Sequence, residues 1–207
     1  MALRDFSDLN DIHLDVLREI GNIGTGNAAT SLSSMLQKPV NIDVPRINIL
    51  KYDEVTEYLG GPENMIVGIM LMLSGEVTGM MMFLLQQDFA HDVVNDLLGG
   101  FFGGFQELDE MSISALQEIG NIMAASYVNA IAQLTGLTID ISVPSMSVDM
   151  AGAIMSVPAI YFADLSDEVI FIQDEFNGAA DNMTSHVLLI PNGDSLERIM
   201  RNLGVEA

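Results

Sequence analysis

The feature that most constrains this chain is a motif that occurs twice, 99 residues apart. Residues 15–22 read DVLREIGN and residues 114–121 read SALQEIGN. From the asparagine that ends each copy, 22 residues lead to a proline that follows a valine, at Val44-Pro45 and at Val143-Pro144. A chance match of four letters has no reason to keep a second, distant match in the same register. The chain is therefore predicted to be an internal duplication.

The segments around the two motifs follow one order of predicted elements. We expect each repeat, about residues 8–100 and 107–205, to contain a long helix, a strand with a proline, a hairpin and a short helix. One extra helical turn is expected near residues 151–157. Residues 99–105 join the repeats, and the three phenylalanines of this glycine-rich linker indicate that the repeats pack together. The predicted fold is α+β: one domain, a pseudo-twofold duplication with long helices packed on a β-sheet.

One apolar segment is long enough to imitate a membrane span. Residues 65–85 (MIVGIMLMLSGEVTGMMMFLL) carry a single charge, at Glu76. That acidic residue would lie near the bilayer centre, where it costs roughly 2.5–3.5 kcal/mol. Ser74-Gly75-Glu76 is instead a natural turn sequence. We therefore predict two buried strands joined at this turn and no insertion into a membrane.

Composition argues against several classes of function. The chain has 29 acidic residues against 7 Lys plus Arg, a formal net charge of −22, so no nucleic-acid partner is expected. It has no cysteine, and His13, His91 and His186 are scattered without the spacing of metal ligands, so we expect no bound metal. The first residues lack the basic and apolar regions of a secretory signal, which predicts a cytoplasmic protein.

The repeated motif predicts a polar face on each long helix. Three polar positions spaced i, i+4, i+7 fall within about 60° of one another on a helical wheel. They are Asp15, Glu19 and Asn22 in the first copy and Ser114, Glu118 and Asn121 in the second. An apolar stripe lies roughly 110° away on each helix and is expected to be buried. It consists of Val16, Ile20 and Ile23 in the first copy and Ala115, Ile119 and Ile122 in the second.

Asparagine and glycine are unfavourable in the middle of a helix. Gly21 and Gly120 each cost about 1 kcal/mol relative to alanine, and the asparagine beside each is a poor helix former. Their presence in both copies indicates a function, or the close approach of another chain or of the twin helix. A carboxamide can orient a water molecule for in-line attack on an activated phosphoryl group. The glutamate could pair with a lysine of the protein that carries this group.

At these residues the sequence resembles a known family. The order Asp or Ser, three residues, Glu, two residues, Asn, 22 residues, Pro resembles the signature of the CheC/CheX/FliY family of chemotaxis phosphatases. Two intact copies are similar to its CheC branch. The resemblance implies a phosphatase that hydrolyses the aspartyl phosphate of a CheY-like response regulator, with asparagine orienting water and glutamate contacting the regulator. The implied catalytic residues are Glu19, Asn22, Glu118 and Asn121, supported by Asp15, Ser114, Pro45 and Pro144.

The same resemblance implies how the chain works with other molecules. It implies no cofactor of the chain's own, since Mg²⁺ is expected to enter with the regulator, and a second partner, the receptor deamidase CheD. The competing hypothesis is an adaptor that binds CheD or the phosphorylated regulator without turning it over. Intact motifs in both repeats favour catalysis, because an adaptor has no evident need for asparagine at both positions. A structural component of the flagellar switch is less favoured, because we expect no FliN-like extension in this chain.

Overall fold

The computed structural model describes residue 6 and residues 9–100, 102–106, 108–164, 166–177 and 182–205. The helices in this part of the chain are α1 (Asp11–Leu36), α2 (Tyr52–Tyr58), α3 (Gln87–Leu97), α4 (Glu110–Thr135), α5 (Ala151–Tyr161) and α6 (Gly193–Asn202). The strands are β1 (Asn41–Ile42), β2 (Arg46–Lys51), β3 (Met65–Gly75), β4 (Gly79–Gln86), β5 (Ile139–Ile141), β6 (Ser145–Met150), β7 (Glu168–Asn177) and β8 (Asn182–Pro191). The predicted α+β class is confirmed.

Several elements repeat at the spacing of the sequence motif. Helix α4 begins and ends 99 residues after α1, and β6 begins and ends 99 residues after β2. Both halves have the order helix, short strand, strand, helix, hairpin, helix. The first half therefore also has a helix before its hairpin, α2, whereas the sequence predicted such a segment only in the second half. That prediction was wrong because α2 has seven residues with Val55 as its buried residue, which gives almost no apolar periodicity.

The strands form one antiparallel sheet in which the two halves exchange strands. The hairpins β3–β4 and β7–β8 lie side by side, with β4 paired to β8 at the centre. Strands β1 and β2 of the first half pair with β7 of the second half. Strands β5 and β6 of the second half pair with β3 of the first half. Each hairpin thus receives its outer neighbours from the other half, so neither half completes its part of the sheet alone.

The apolar segment 65–85 forms the hairpin of the first half, as the sequence predicted. Strand β3 reaches Gly75 and β4 begins at Gly79, which pairs with Leu73. The turn therefore lies at residues 76–78, slightly later than the predicted Ser74-Gly75-Glu76. Both glycines have positive φ, +96° at Gly75 and +153° at Gly79, a backbone region that L side chains rarely adopt. Within the described ranges, no helix is long and apolar enough to cross a membrane.

The long helices α1 and α4 pack against each other and against one face of the sheet. Glycines allow this close approach. A Cβ atom placed on Gly21 would lie 2.7 Å from Cδ1 of Ile47 in β2, and one placed on Gly120 would lie 2.5 Å from Cγ2 of Ile69 in β3. Gly21 and Gly120 therefore seat their helices on the sheet, not on the twin helix or on another chain.

The opposite face of the sheet carries α2 and α5. Gly68 precedes Ile69 in β3 and so points to this other face, where a Cβ atom would lie 2.9 Å from Cγ2 of Ile154 in α5. Tyr58 of α2 packs on Phe171 of β7, with ring centroids 5.3 Å apart. Because both faces are covered, residues 79–85 of β4 are all buried, as predicted for this strand, and its methionines lie in the core.

The buried face of α1 differs from the predicted apolar stripe. Of the predicted residues Val16, Ile20 and Ile23, Ile20 is fully buried and the other two are half-buried. The buried face instead extends to Leu17 and to Gly24. The reason is that α1 packs on two neighbours, the sheet and α4, and the glycine side of the helix comes closest to both.

Glycines follow the ends of the short helices α3 and α6. Gly99 and Gly204 follow α3 and α6 with φ of +67° and +76°, the left-handed conformation that ends many helices. In the linker, Phe102 is buried and lies 5.1 Å from the rings of both His91 and Phe105. The described part of the linker is therefore packed, as predicted, whereas Phe101 lies outside the described residues.

Two glycines of α1 provide a test of the helix crossing. A Cβ atom on Gly24 would lie 2.5 Å from the ring of Tyr127 in α4, whereas one on Gly26 would meet nothing within 4 Å. We expect Gly24→Ala to lower the free energy of unfolding by about 1–3 kcal/mol through overpacking. Gly26→Ala, the matched control, should raise it by about 0.4–1 kcal/mol, because alanine loses less backbone entropy on folding. Urea unfolding measures both, and equal effects of the two substitutions would contradict this crossing.

Candidate functional site

The first candidate site lies on the exposed face of α1. The helix begins after Asn10, whose side-chain oxygen accepts hydrogen bonds from the backbone N–H groups of Ile12 and His13. Asp15, Glu19 and Asn22 are all exposed, as the motif predicted. Glutamate and asparagine thus stand one turn apart and open to solvent.

The residue before Asn22 fixes the height of this site above the sheet. A Cβ atom on Gly21 would lie 3.5 Å from Cγ of Pro45, in addition to its contact with Ile47. Pro45 is buried, and it ends the loop that precedes β2. The predicted supporting residue Pro45 therefore packs beside α1 at the level of Gly21, the residue before Asn22, which explains why the glycine and the distant proline occur together.

The second candidate site lies on α4. Its N-cap, Asp109, accepts hydrogen bonds from the backbone N–H and from the hydroxyl of Ser112, and these bonds lower the pKa of the Asp109 carboxyl. Ser114 and Glu118 are exposed, as the motif predicted, whereas Asn121 is half-buried and so less exposed than predicted. The two sites therefore share one design but differ in the exposure of the asparagine.

The proline loop of the second site is held by a direct hydrogen bond. Gln117 donates from Nε2 to the carbonyl oxygen of Pro144 over 3.3 Å, and Pro144 is buried. Gly120 meanwhile packs on Ile69 of β3. The structure thus brings the eight predicted residues together as two separate sets, one on each long helix with its proline loop.

The charges around the two sites differ, which the sequence analysis missed. At the first site Arg18 forms an ion pair with Asp15, and Arg46, next to Pro45, lies 3.6 Å from Glu175. The equivalent positions of the second site hold Gln117 and Ser145. The sequence contains no Lys or Arg between residues 52 and 197. The first site therefore combines acidic and basic side chains. At the second site, residues 52–197 contribute acidic side chains but no lysine or arginine.

A buried polar network connects both long helices to the sheet. Asp174 of β7 is fully buried; its Oδ1 accepts a hydrogen bond from the Thr25 hydroxyl over 2.8 Å, and its Oδ2 accepts one from the Tyr127 hydroxyl over 2.7 Å. The hydroxyls of Thr25 and Tyr127 also lie 2.9 Å apart. Burial raises the pKa of Asp174 to about 6, although the two hydrogen bonds favour its charged form. Sequence reasoning missed this network because its members are far apart in the chain and match no motif.

A cavity of about 200 Å³ lies elsewhere, on the face of the sheet that α5 covers. Its wall includes Met70, Met146, Ile154 and Val157. The eight predicted site residues are not part of this wall. In the part of the chain that the structure describes, no three His, Cys, Asp or Glu side chains are grouped so that they could hold a metal ion. Whether the chain works without a metal of its own stays a prediction.

Known proteins resemble this chain in sequence and in fold. The profile of the CheC-like family matches residues 12–49 and 111–148, the two segments that carry the motif. CheY-P phosphatase CheC of Bacillus subtilis (strain 168) is 32% identical over 203 residues, which cover 96% of this chain and 97% of that protein. Flagellar motor switch phosphatase FliY of the same organism is 28% identical over 141 residues, covering 68% of this chain and 36% of FliY.

A solved structure extends the likeness to three dimensions. The crystal structure of Thermotoga maritima FliY aligns with a TM-score of 0.74 at 23% identity, covering 95% of this chain and 98% of that chain. This likeness concerns the fold alone. It agrees with the predicted packing of long helices on one sheet.

The raised pKa of Asp174 predicts a specific pH dependence of stability. Well below pH 3.8, the ordinary pKa of aspartate, this carboxyl is neutral in the folded and the unfolded chain. As pH rises towards 6, the carboxyl of the unfolded chain ionises first and the folded state loses relative stability. Asp174→Asn removes this contribution. We expect the free energy of unfolding of the variant, relative to the original chain, to rise by about 1 kcal/mol between pH 5 and pH 7.5 in urea titrations.

Asp140→Asn is the matched control, because it removes the same charge from an exposed position of β5. If the difference between the original chain and Asp174→Asn stayed constant over this pH range, the buried carboxyl would not titrate there. The proposed cause of the pH dependence would then be wrong.

Proposed function

We propose that this chain, which belongs to the CheC-like family, is a chemotaxis phosphatase. Its proposed reaction is hydrolysis of the aspartyl phosphate of a CheY-like response regulator. The observation that carries this proposal is the repeated pair of an exposed glutamate and an asparagine one turn later on α1 and α4, where a glycine seats each helix on the sheet. The names of the curated relatives, CheY-P phosphatase CheC and flagellar motor switch phosphatase FliY, support the same class of activity.

The asparagines suit the positioning of water. The carboxamide oxygen of Asn22 or Asn121 can accept a hydrogen bond from a water molecule, and its NH₂ group can donate to a phosphoryl oxygen. The water oxygen then attacks phosphorus in line with the bond to the aspartyl oxygen. That bond breaks, the aspartate leaves as a carboxylate, and the water proton passes to the phosphate product or to solvent. An acyl phosphate is already activated, so no nucleophile from this chain is required.

The glutamates suit docking of the regulator. Glu19 and Glu118 are exposed and lie one turn before their asparagines, so each can meet a cation on the partner surface that surrounds the phosphoaspartate. A charged contact of this kind fixes the register of two proteins more than it adds affinity. In this proposal the regulator supplies the aspartyl phosphate together with its Mg²⁺, which neutralises phosphoryl charge, and this chain supplies position.

The adaptor function uses the same surfaces. In that alternative, the chain binds the phosphorylated regulator or the deamidase CheD but leaves the phosphate in place. The assay below therefore contains CheD in one arm, because the family resemblance implies this partner. Catalysis remains the better proposal, since asparagine is kept on both helices at positions that the packing of the fold does not require.

Replacement of the asparagines tests catalysis directly. We expect Asn22→Ala or Asn121→Ala to reduce the rate of phosphate loss from the phosphorylated regulator without abolishing it, because the other site remains. The double variant should lose essentially all activity, at least about 100-fold, since the water is no longer oriented. Melting temperature should hardly change, because these side chains are not part of the core.

The chain offers matched controls on the same two helices. Asn27 of α1 and Asn129 of α4 are exposed asparagines outside the motif, so Asn27→Ala and Asn129→Ala should keep full activity. Full activity of the Asn22→Ala/Asn121→Ala double variant would rule out the water-orienting role. If the original chain bound the phosphorylated regulator but released no phosphate, with or without CheD, the adaptor function would replace the enzyme.

The difference in charge predicts a second measurement on the single variants. In Asn121→Ala only the first site is intact, where Arg18 and Arg46 lie beside acidic groups. In Asn22→Ala only the second site is intact. The acidic groups of the second site have no such arginines beside them, so their attraction for cations on the regulator is stronger. Added salt should therefore weaken binding at the second site more than at the first. We expect kcat/KM of Asn22→Ala to fall about two- to fivefold more than that of Asn121→Ala between 0.05 and 0.5 M NaCl. Equal slopes would show that the arginines do not affect docking.

A further inference from the structure

We propose that Val44 and Val143, together with Ile12 and Met111, are apolar contacts by which each site docks the phosphorylated regulator. This inference rests on the proposed function and names the surface around its site. It assigns to the Val-Pro loops a direct role in binding, beyond the packing of the prolines against the helices.

Comparison of the two halves within this one sequence carries the inference. Aligned at a spacing of 99, residues 11–51 and 110–150 are identical at nine positions. Those of the first copy are Leu17, Glu19, Ile20, Gly21, Asn22, Ile23, Ile42, Val44 and Pro45. Six of the nine are buried or half-buried, so packing explains them. The exposed ones in the first copy are the glutamate, the asparagine and the valine, and in the second copy the glutamate and the valine are exposed and the asparagine is half-buried.

The exposure of the valines is unusual. Val44 is 79% and Val143 82% exposed, the two highest values for large apolar side chains in the described ranges. A single exposed valine needs no explanation. Two valines at equivalent positions, each next to a buried proline, indicate a selected surface feature, because neither contributes to the core.

The loops hold these valines near the asparagines. Pro45 packs at the level of Gly21, so Val44 is fixed close to the end of the site where Asn22 lies. In the second copy the hydrogen bond from Gln117 to Pro144 places Val143 beside α4. An anchored apolar side chain loses little entropy on binding, which suits it for a docking contact.

A second apolar pair marks the other end of each site. Ile12 is 61% and Met111 65% exposed, and they occupy equivalent positions at the starts of α1 and α4. On a helical wheel Ile12 lies within about 80° of Asp15, Glu19 and Asn22, and about 15 Å along the axis from Asn22. The glutamate and asparagine of each copy are thus bracketed by an isoleucine or methionine at one end and a valine at the other.

The chemistry of the site identifies what covers these side chains. The glutamate and asparagine need a protein that carries an acyl phosphate, and such a protein must lie over the surrounding surface when its phosphate reaches the asparagine. A specific interface covers about 800 Å² on each partner, far more than two polar side chains provide. Apolar contacts at the rim of the site would supply part of that area. Tyr58 and Val157 are also exposed at equivalent positions, but they lie on α2 and α5, on the opposite face of the sheet.

Single-site backgrounds test the inference. In the Asn121→Ala background only the first site acts, and Val44→Ser or Ile12→Ser should each raise KM for the phosphorylated regulator about three- to tenfold with kcat nearly unchanged. In the Asn22→Ala background, Val143→Ser and Met111→Ser should do the same. Ile160→Ser is the matched control, because Ile160 is 76% exposed on α5, away from both sites. Affinity for the beryllofluoride-activated regulator, measured by calorimetry, should change in parallel with KM.

The outcomes separate this inference from the proposed function. If the original chain neither binds nor dephosphorylates the regulator, the proposed function fails and the docking surface with it. If it does both, but the four serine variants match Ile160→Ser, the docking inference alone is overturned. The inference is also overturned if the variants keep their KM and instead alter the sedimentation of the chain or its affinity for CheD, because the valines would then contact a second copy or the deamidase.

Discussion

The crossing of α1 and α4 at Gly24 is the contact on which the placement of both sites depends. The absence of a side chain at Gly24 leaves room for the ring of Tyr127, whose hydroxyl reaches through to Asp174 in the sheet. Thr25, the next residue of α1, binds the same carboxylate. The two helices are therefore positioned against each other and against β7 by one buried cluster. Because Asn22 and Asn121 lie on these helices within two turns of the cluster, a change in the crossing would displace both asparagines together.

The duplication itself shows that the fold does not require this cluster to be polar. At the equivalent place in the other half, the pairing of β6 with β3 puts Leu71 where Asp174 stands, and the helices contribute Ala28 and Ala124. All three of these apolar residues are fully buried. A buried carboxyl adds little net stability, since its desolvation offsets its hydrogen bonds. The cluster of Thr25, Tyr127 and Asp174 instead restricts the helix crossing to the geometry in which each carboxylate oxygen accepts a hydrogen bond from a hydroxyl. It also makes the two halves of the fold unequal.

The sequence predicted the elements that local pattern or repetition encodes. The long helices follow from the spacing of polar and apolar residues, which also predicts the exposure of Glu19 and Asn22. The hairpin of residues 65–85, with its buried methionines, follows from a long apolar segment interrupted by a turn sequence. The exchange of strands between halves was not predictable, because a sequence repeat does not say which copy of a strand pairs with which hairpin. The contacts between Thr25, Tyr127 and Asp174 were missed for the same reason: they join residues up to 149 positions apart. The roles of the site residues stay predictions.

An exposed helix face is a sufficient site for the proposed reaction because of what the substrate brings. An acyl phosphate needs little activation, and a regulator that carries its own metal ion already stabilises the phosphoryl charge. What remains is to orient one water and to hold two proteins in register, which a carboxamide and a carboxylate on a rigid helix can do. Rigidity then matters more than enclosure, and the residues that provide it lie beneath the site: Gly21 and Gly120 on the sheet, with Pro45 and Pro144 beside the helices. This division explains why the motif joins two polar residues to a glycine and a distant proline.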